Sequence, residues 1–105
     1  MVSEPVTERT IYHVAEPDEW SARNETHYAP SGYDQEGFIH CSSKAQLPGT
    51  LDKHYPGRTD LLILTIDSER VQADVIWEDL YGSGIAFPHI YGELDVVAVV
   101  GFKKL

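Results

Sequence analysis

DLLILTI, residues 60–66, is nearly all apolar after its opening Asp60, with the polar run DSER, 67–70, behind it. Seven residues are too few for a helix of ordinary length. Four β-branched or isobutyl side chains in succession, followed by Thr65 and Ile66, suit a strand covered on both faces. The chain must therefore supply one covering layer for each face of that strand. On the N-terminal side, TIYHVA (10–15) has β-branched, alternating character and predicts a first strand, with Ile11, His13 and Ala15 on one face and Tyr12 and Val14 on the other. EPDEWSAR follows. Pro17 suits a first helical turn, Asp18 and Glu19 suit its positive end, and Trp20 would anchor it to the core. NETHYAPSGYDQEG (24–37) is rich in breakers and reads as a long loop carrying Tyr28 and Tyr33.

GFIHCS (37–42) predicts a second strand with Phe38, His40 and Ser42 on one face and Ile39 and Cys41 on the other. SKAQ (43–46) matches a capping box, Ser43 as N-cap and Gln46 three residues on. Pro48 and Gly49 are expected to interrupt a long helix, and Thr50 to cap a second short turn that stops at Pro56-Gly57. Beyond the central run, VQADVIWEDL predicts extended structure, GSG (82–84) a flexible link, and AFPHIYGEL and DVVAVVGF two further strands joined by a tight turn near Gly92. Strands and short helices mix without regular alternation. The expected class is α+β, a single domain over residues 10–105 with a mixed or antiparallel sheet, preceded by a loose tail over residues 1–9.

The 105 residues carry eight basic and seventeen acidic side chains, a net charge of -9 with histidines neutral. That field repels phosphate backbones and anionic lipid surfaces, which excludes non-specific nucleic-acid or membrane binding as the expected role. One cysteine allows no internal disulfide. The first ten residues lack a basic region followed by an apolar run, and no apolar run approaches a membrane span, so a cytoplasmic location is expected.

Three histidines fall in predicted strands: His13 in IYHV, His40 in FIHC and His89 in FPHIY. A buried histidine is ordinarily a structural residue with both nitrogens bonded. Three of them in separate strands raise convergence on one cleft, where a histidine can clamp a hydroxyl or move a proton. Metal ligation is not favoured, for there is no HExxH, no His-x-His and no cysteine pair. Cys41 stands next to His40, but alternation puts them on opposite faces, so it reads as a small buried hydrophobe. Glu78 and Glu93 are candidate acid, base or cation-stabilising groups. Tyr12, Tyr33, Tyr81 and Tyr91 can stack on a ring or fill a core.

IYHVAEPDEW, EGFIHCSSKAQLPGT, DLLILTID, VIWEDL and FPHIYGEL together resemble a bacterial family called domain of unknown function 952, and the resemblance spans Thr10 to Phe102. It implies an ADP-ribosyltransferase-like fold, a compact split β-sheet with short helices and, in enzymatic members, an NAD cleft. By position His13 would match the first element, a clamp on a ribose hydroxyl. GFIHCS would match the second and FPHIYGEL would lie near the third. The family's usual text is HIYGPL, with proline where this chain has Glu93, so Glu78 fits the pattern better. Related RNA 2′-phosphotransferases use several arginines, whereas Arg9, Arg23, Arg58 and Arg70 all lie outside the motifs, which argues against that reaction. The resemblance implies NAD as a substrate, with no resident cofactor assigned. His13, His40, Glu78 and His89 are then the candidate catalytic set, and Tyr12, Phe38, Ser42 and Tyr91 the candidate ligand-binding set. Three readings stay open: a transferase or glycohydrolase acting on NAD or an ADP-ribosylated small molecule, a binding module for a nucleotide- or sugar-like ligand, and a regulatory protein-interaction domain.

Overall fold

Residues 8–105 are described by a computed structural model of the chain. DLLILTI forms the centre of it. Strand β4 (Leu62–Asp67) lies between β1 (Thr10–Ala15) and β8 (Val99–Lys104) and is antiparallel to both. Its two faces meet different layers. Leu62, Leu64 and Ile66 join Ile11, Ala15, Trp20, Tyr28, Ile39 and Ile90 in the larger core. Leu61 and Ile63 join Val14 in a smaller core walled by Tyr12, Leu47, Leu51 and Tyr55. Burial on both faces explains why the strand carries no polar alternation. It also bears out the two faces expected for β1.

The layer over the larger core is a second antiparallel sheet, β3 (Ile39–His40), β6 (Phe87–Tyr91) and β5 (Asp74–Glu78), in the order β3-β6-β5. A short pair, β2 (His27–Tyr28) with β7 (Leu94–Asp95), lies apart from it. The two main sheets are hooked together at one point, where Tyr12 N donates to Ser42 O (2.8 Å) and Ser42 N to Tyr12 O (2.7 Å). The architecture is a small α+β domain of antiparallel sheets with few short helices. Helix α1 (Pro17–Ser21) starts on Pro17 and buries Trp20, as its text predicts.

Five expectations need correction. The segment 24–37 is not structureless: it holds β2 and the single-turn helix α2 (Tyr33–Glu36), and Tyr28 is fully buried in the core. Regular pairing in GFIHCS covers only Ile39 and His40, although Cys41 N still donates to Pro88 O at 3.0 Å. Pro48 and Gly49 do not interrupt α3, which runs Leu47–His54. Pro48 sits in the first turn, where a missing N–H costs no helical bond. Thr50 caps nothing; its hydroxyl bonds back to Gln46 O at 3.2 Å. Last, the final strands do not pair with each other. β6 pairs with β3 and β5, and β8 pairs with β4, because the turn at Gly92 leads into β7 instead.

The reciprocal bonds of the capping box form as expected, over the turn that leads into α3, whose own N-cap is Gln46 and not Ser43. Gln46 N donates to Ser43 Oγ (3.2 Å) and Ser43 N donates to Gln46 Oε1 (2.9 Å). Of the tail expected over residues 1–9, residues 1–7 lie outside the described residues, while the Arg9 guanidinium grips Asp67 at 2.9 and 3.0 Å. Among the described residues no helix is long and apolar enough to cross a membrane.

Gly92 faces its neighbour closely. A Cβ there would lie 2.6 Å from the Cβ of Ala73, a methyl that cannot swing aside. Gly92→Ala is expected to lower stability by roughly 1–2 kcal/mol in urea denaturation, and Ala73→Gly in the same chain to restore part of it.

Candidate functional site

Between the sheets and helix α3 lies a cavity of about 860 Å3, within the range of small-molecule sites. β1 contributes Tyr12 and His13, α2 contributes Tyr33 and Glu36, and β6 contributes His89.

His40 and His89 are directly opposed in the β3–β6 ladder, with ring centroids 5.4 Å apart and planes nearly perpendicular. Alternation along β6 turns Pro88 and Ile90 inward, and Phe87, His89 and Tyr91 to the other face. Phe38 covers His89 with its ring at 4.4 Å, and also meets His40 (4.8 Å) and Tyr91 (5.3 Å). The result is a histidine only 1% exposed.

Its partner comes from β5. Ile76 is opposite His89, so Glu78 is the diagonal neighbour on the same face. Glu78 Oε2 lies 2.8 Å from His89 Nδ1 and also accepts the Tyr91 hydroxyl. Those two bonds, Tyr91 first, hold the Glu78 carboxyl below the usual carboxylate range, and the same bond pushes the Tyr91 phenol up. An ionised carboxylate can only accept, so Nδ1 carries the proton of neutral His89. Nε2 then presents a lone pair. It has no partner among the described residues, yet no fully buried polar side-chain atom there is left without one, so Nε2 meets the cavity that His89 lines. A carboxylate orienting an imidazole whose far nitrogen faces a cleft is an arrangement suited to proton transfer.

His40 is placed differently. It is exposed, and its Nε2 bonds Glu36 of α2. Gly37, at φ +80°, ends α2 in the left-handed region and turns the chain back so that residues four apart meet without a helix between them.

His13 is sealed. Its Nδ1 lies 2.7 Å from His40 O and its Nε2 3.1 Å from the Tyr28 hydroxyl. A carbonyl can only accept, so Nδ1–H donates to it and Tyr28 O–H donates to Nε2. Burial, the main cause, lowers its pKa to about 4. Ser42 is buried as well, its hydroxyl 2.7 Å from Thr50 Oγ1, which itself donates to Gln46 O. Ser42 therefore ties α3 to the junction of the sheets. Cys41 is buried in the larger core, and burial pushes its thiol far up.

The chain matches the family described as protein of unknown function DUF952 over residues 14–102. It belongs to that family. Among solved structures it is similar to protein CC0527 of Caulobacter crescentus. The crystal structure of CC0527 has a TM-score of 0.79 at 31% identity, covering 91% of this chain and 85% of that one. The solution NMR structure of the same protein has a TM-score of 0.77 at 30% identity, covering 93% and 85%. No match is found among curated proteins.

Of the DUF952 residues singled out from the sequence, Tyr12, His13, Phe38, His40, Ser42 and His89 line the cavity, whereas Glu78 and Tyr91 stand behind His89, off its wall. Glu93 lies elsewhere, on a smaller cavity with His27 and Asp95. Glu19, Glu36, Gln46 and Lys53 also line the main cavity, though nothing in the sequence marked them as site residues except the turn after Glu36. Gly37 after YDQE was the available signal for Glu36. Glu19 carries none, because its position depends on how α1 packs.

Proposed function

We propose that the cleft binds a ring-bearing small molecule with ribose-like hydroxyls, and that His89, held by Glu78, accepts a proton from it or from a water bound beside it. The observation that carries this reading is the buried imidazole with its unpartnered Nε2 on the cavity. The finer reading is an ADP-ribosyltransferase-type activity on NAD or an ADP-ribosylated compound. Two sheets joined at one bridge with a cleft beside it, and Tyr12, Tyr33 and Phe38 on its walls, support it. In transfer to water, the bond from ribose C1′ to the nicotinamide nitrogen breaks and nicotinamide leaves with the bonding pair. The water oxygen bonds C1′, and its proton passes to His89 Nε2. Developing positive charge on the ribose favours a nearby carboxylate. Glu36 is on the wall for that, and Glu78 acts only through His89. His13 is not available as a ribose clamp, so His40 takes that role.

A second reading, a binding module without chemistry, draws support from the same sealed His13 and from the lack of any arginine among the lining residues to hold a pyrophosphate. One experiment separates them. Thermal shift with NAD, ADP-ribose and nicotinamide is expected to show stabilisation; a ligand at ten times its dissociation constant adds about 1.4 kcal/mol, several degrees here. Nicotinamide release is then followed with His89→Asn, which keeps a donor to Glu78 and lacks the second nitrogen. Turnover is expected to fall about 100-fold or more. Binding without release selects the module, and no stabilisation by any of the three removes the NAD reading.

A further inference from the structure

We infer that the cleft selects a small hydroxyl-bearing organic cation over its uncharged or phosphorylated counterpart, and that Glu19 of α1 sets this preference. The inference rests on the cleft being the ligand site, as proposed above, and not on the NAD reading, whose pyrophosphate it disfavours.

Three carboxylates line the cavity, Glu16, Glu19 and Glu36, against one ammonium, Lys53. Two of the three are already engaged. Glu16 holds Arg58 at 2.7 and 3.3 Å, and Glu36 bonds His40. Glu19 is half-buried and has no ion pair among the described residues; the hydrogen bond it accepts there is a long one, from Ser31 N at 3.4 Å. Arg58 does not tip the balance, because Asp60 shares it at 2.7 and 2.9 Å. Lys53 is turned toward the Tyr81 ring, 5.9 Å from its centroid.

A half-buried carboxylate without a cation is stabilised by any positive ligand brought beside it and opposes any anion. Ring faces on the walls add to that preference, since cations are drawn to aromatic faces. Tyr33, Phe38 and Tyr55 supply them. The independent mark of a ligand is His89, 1% exposed, with Nε2 free to accept a hydroxyl proton. The two features together ask for a positive ring and a hydroxyl in one molecule. A phosphate would meet the unpaired Glu19 carboxylate in a chain of net charge -9.

Two nucleosides and a nucleotide isolate the charge: 1-methyladenosine, cationic at neutral pH, adenosine, uncharged, and adenosine monophosphate, an anion. Calorimetric titration of the whole chain is expected to rank them in that order of affinity. Glu19→Gln is expected to weaken 1-methyladenosine about five- to tenfold and leave adenosine within about twofold. Glu16→Gln, whose carboxylate is already paired with Arg58, is expected to change the ranking little. If the monophosphate binds as tightly as adenosine, or if the gap between the cation and adenosine survives Glu19→Gln, the charge inference is overturned while the cleft stands as the ligand site. If none of the three binds and NAD and ADP-ribose are silent too, both fall together.

Discussion

Acidification from pH 6.5 to about 4 is expected to remove about 3 kcal/mol of folding stability through His13 alone. In the unfolded chain the imidazole takes a proton near its ordinary 6.5. In the folded chain, burial delays protonation to about 4. Between those two values the unfolded state binds one more proton than the folded state, so stability rises with pH there and is lost as pH falls. Above the window both forms are neutral, and below it both are charged. Within it the slope is about 1.4 kcal/mol per pH unit. Glu78, Asp60, Asp67 and Asp79, all held below their usual range, also lose stability in acid, but they are common to wild type and His13→Gln. Urea denaturation of both proteins across this window reads the difference in slope. Parallel curves would show that His13 is not sealed, and would return it to the list of groups that meet ligand.

Leu64→Ala is expected to cost about 3 kcal/mol and lower the melting temperature by roughly 15 °C. Leu64 is fully buried in the middle of the central strand, its side chain among those of the larger core. Val100→Ala on β8 is the control: that residue is 56% exposed, and its replacement is expected to stay within about 0.5 kcal/mol. Chemical denaturation of the pair decides it, and near-equal losses would mean that β4 is not the strand on which the fold is built.

Short-range physics was legible in the residues. The capping box of Ser43 and Gln46 joins residues only three apart in the chain, and the opposed faces of β1 and of Phe38 to Ser42 follow from alternation alone. Pro48 and Gly49 misled for the converse reason. Local propensity disfavours a helix there, but Leu47 and Leu51 cover the smaller core, and that burial outweighs the local cost. The segment 24–37 looked like a loop because two-residue strands and single-turn helices leave no periodicity to read. Tyr28 is buried through its contacts with Trp20 and His13, which lie outside that segment.

The site divides along the same line. His40, His89, Phe38 and Glu78 could be nominated because unusual residue types stood in strand text. That His13 has no nitrogen left for a ligand could not be read, since a backbone carbonyl, His40 O, and a side-chain hydroxyl, that of Tyr28, arrive from distant elements to occupy both. By itself the sequence determined the α+β class, the doubly covered central strand, the inert place of Cys41 and a net charge unfavourable to phosphate. Tertiary structure alone decided which histidine keeps a free nitrogen, which carboxylates reach the cavity wall and which strands pair. Alternation and capping are set by neighbours along the chain, whereas a cleft is made where segments far apart in sequence close on one another, and no local pattern encodes that meeting.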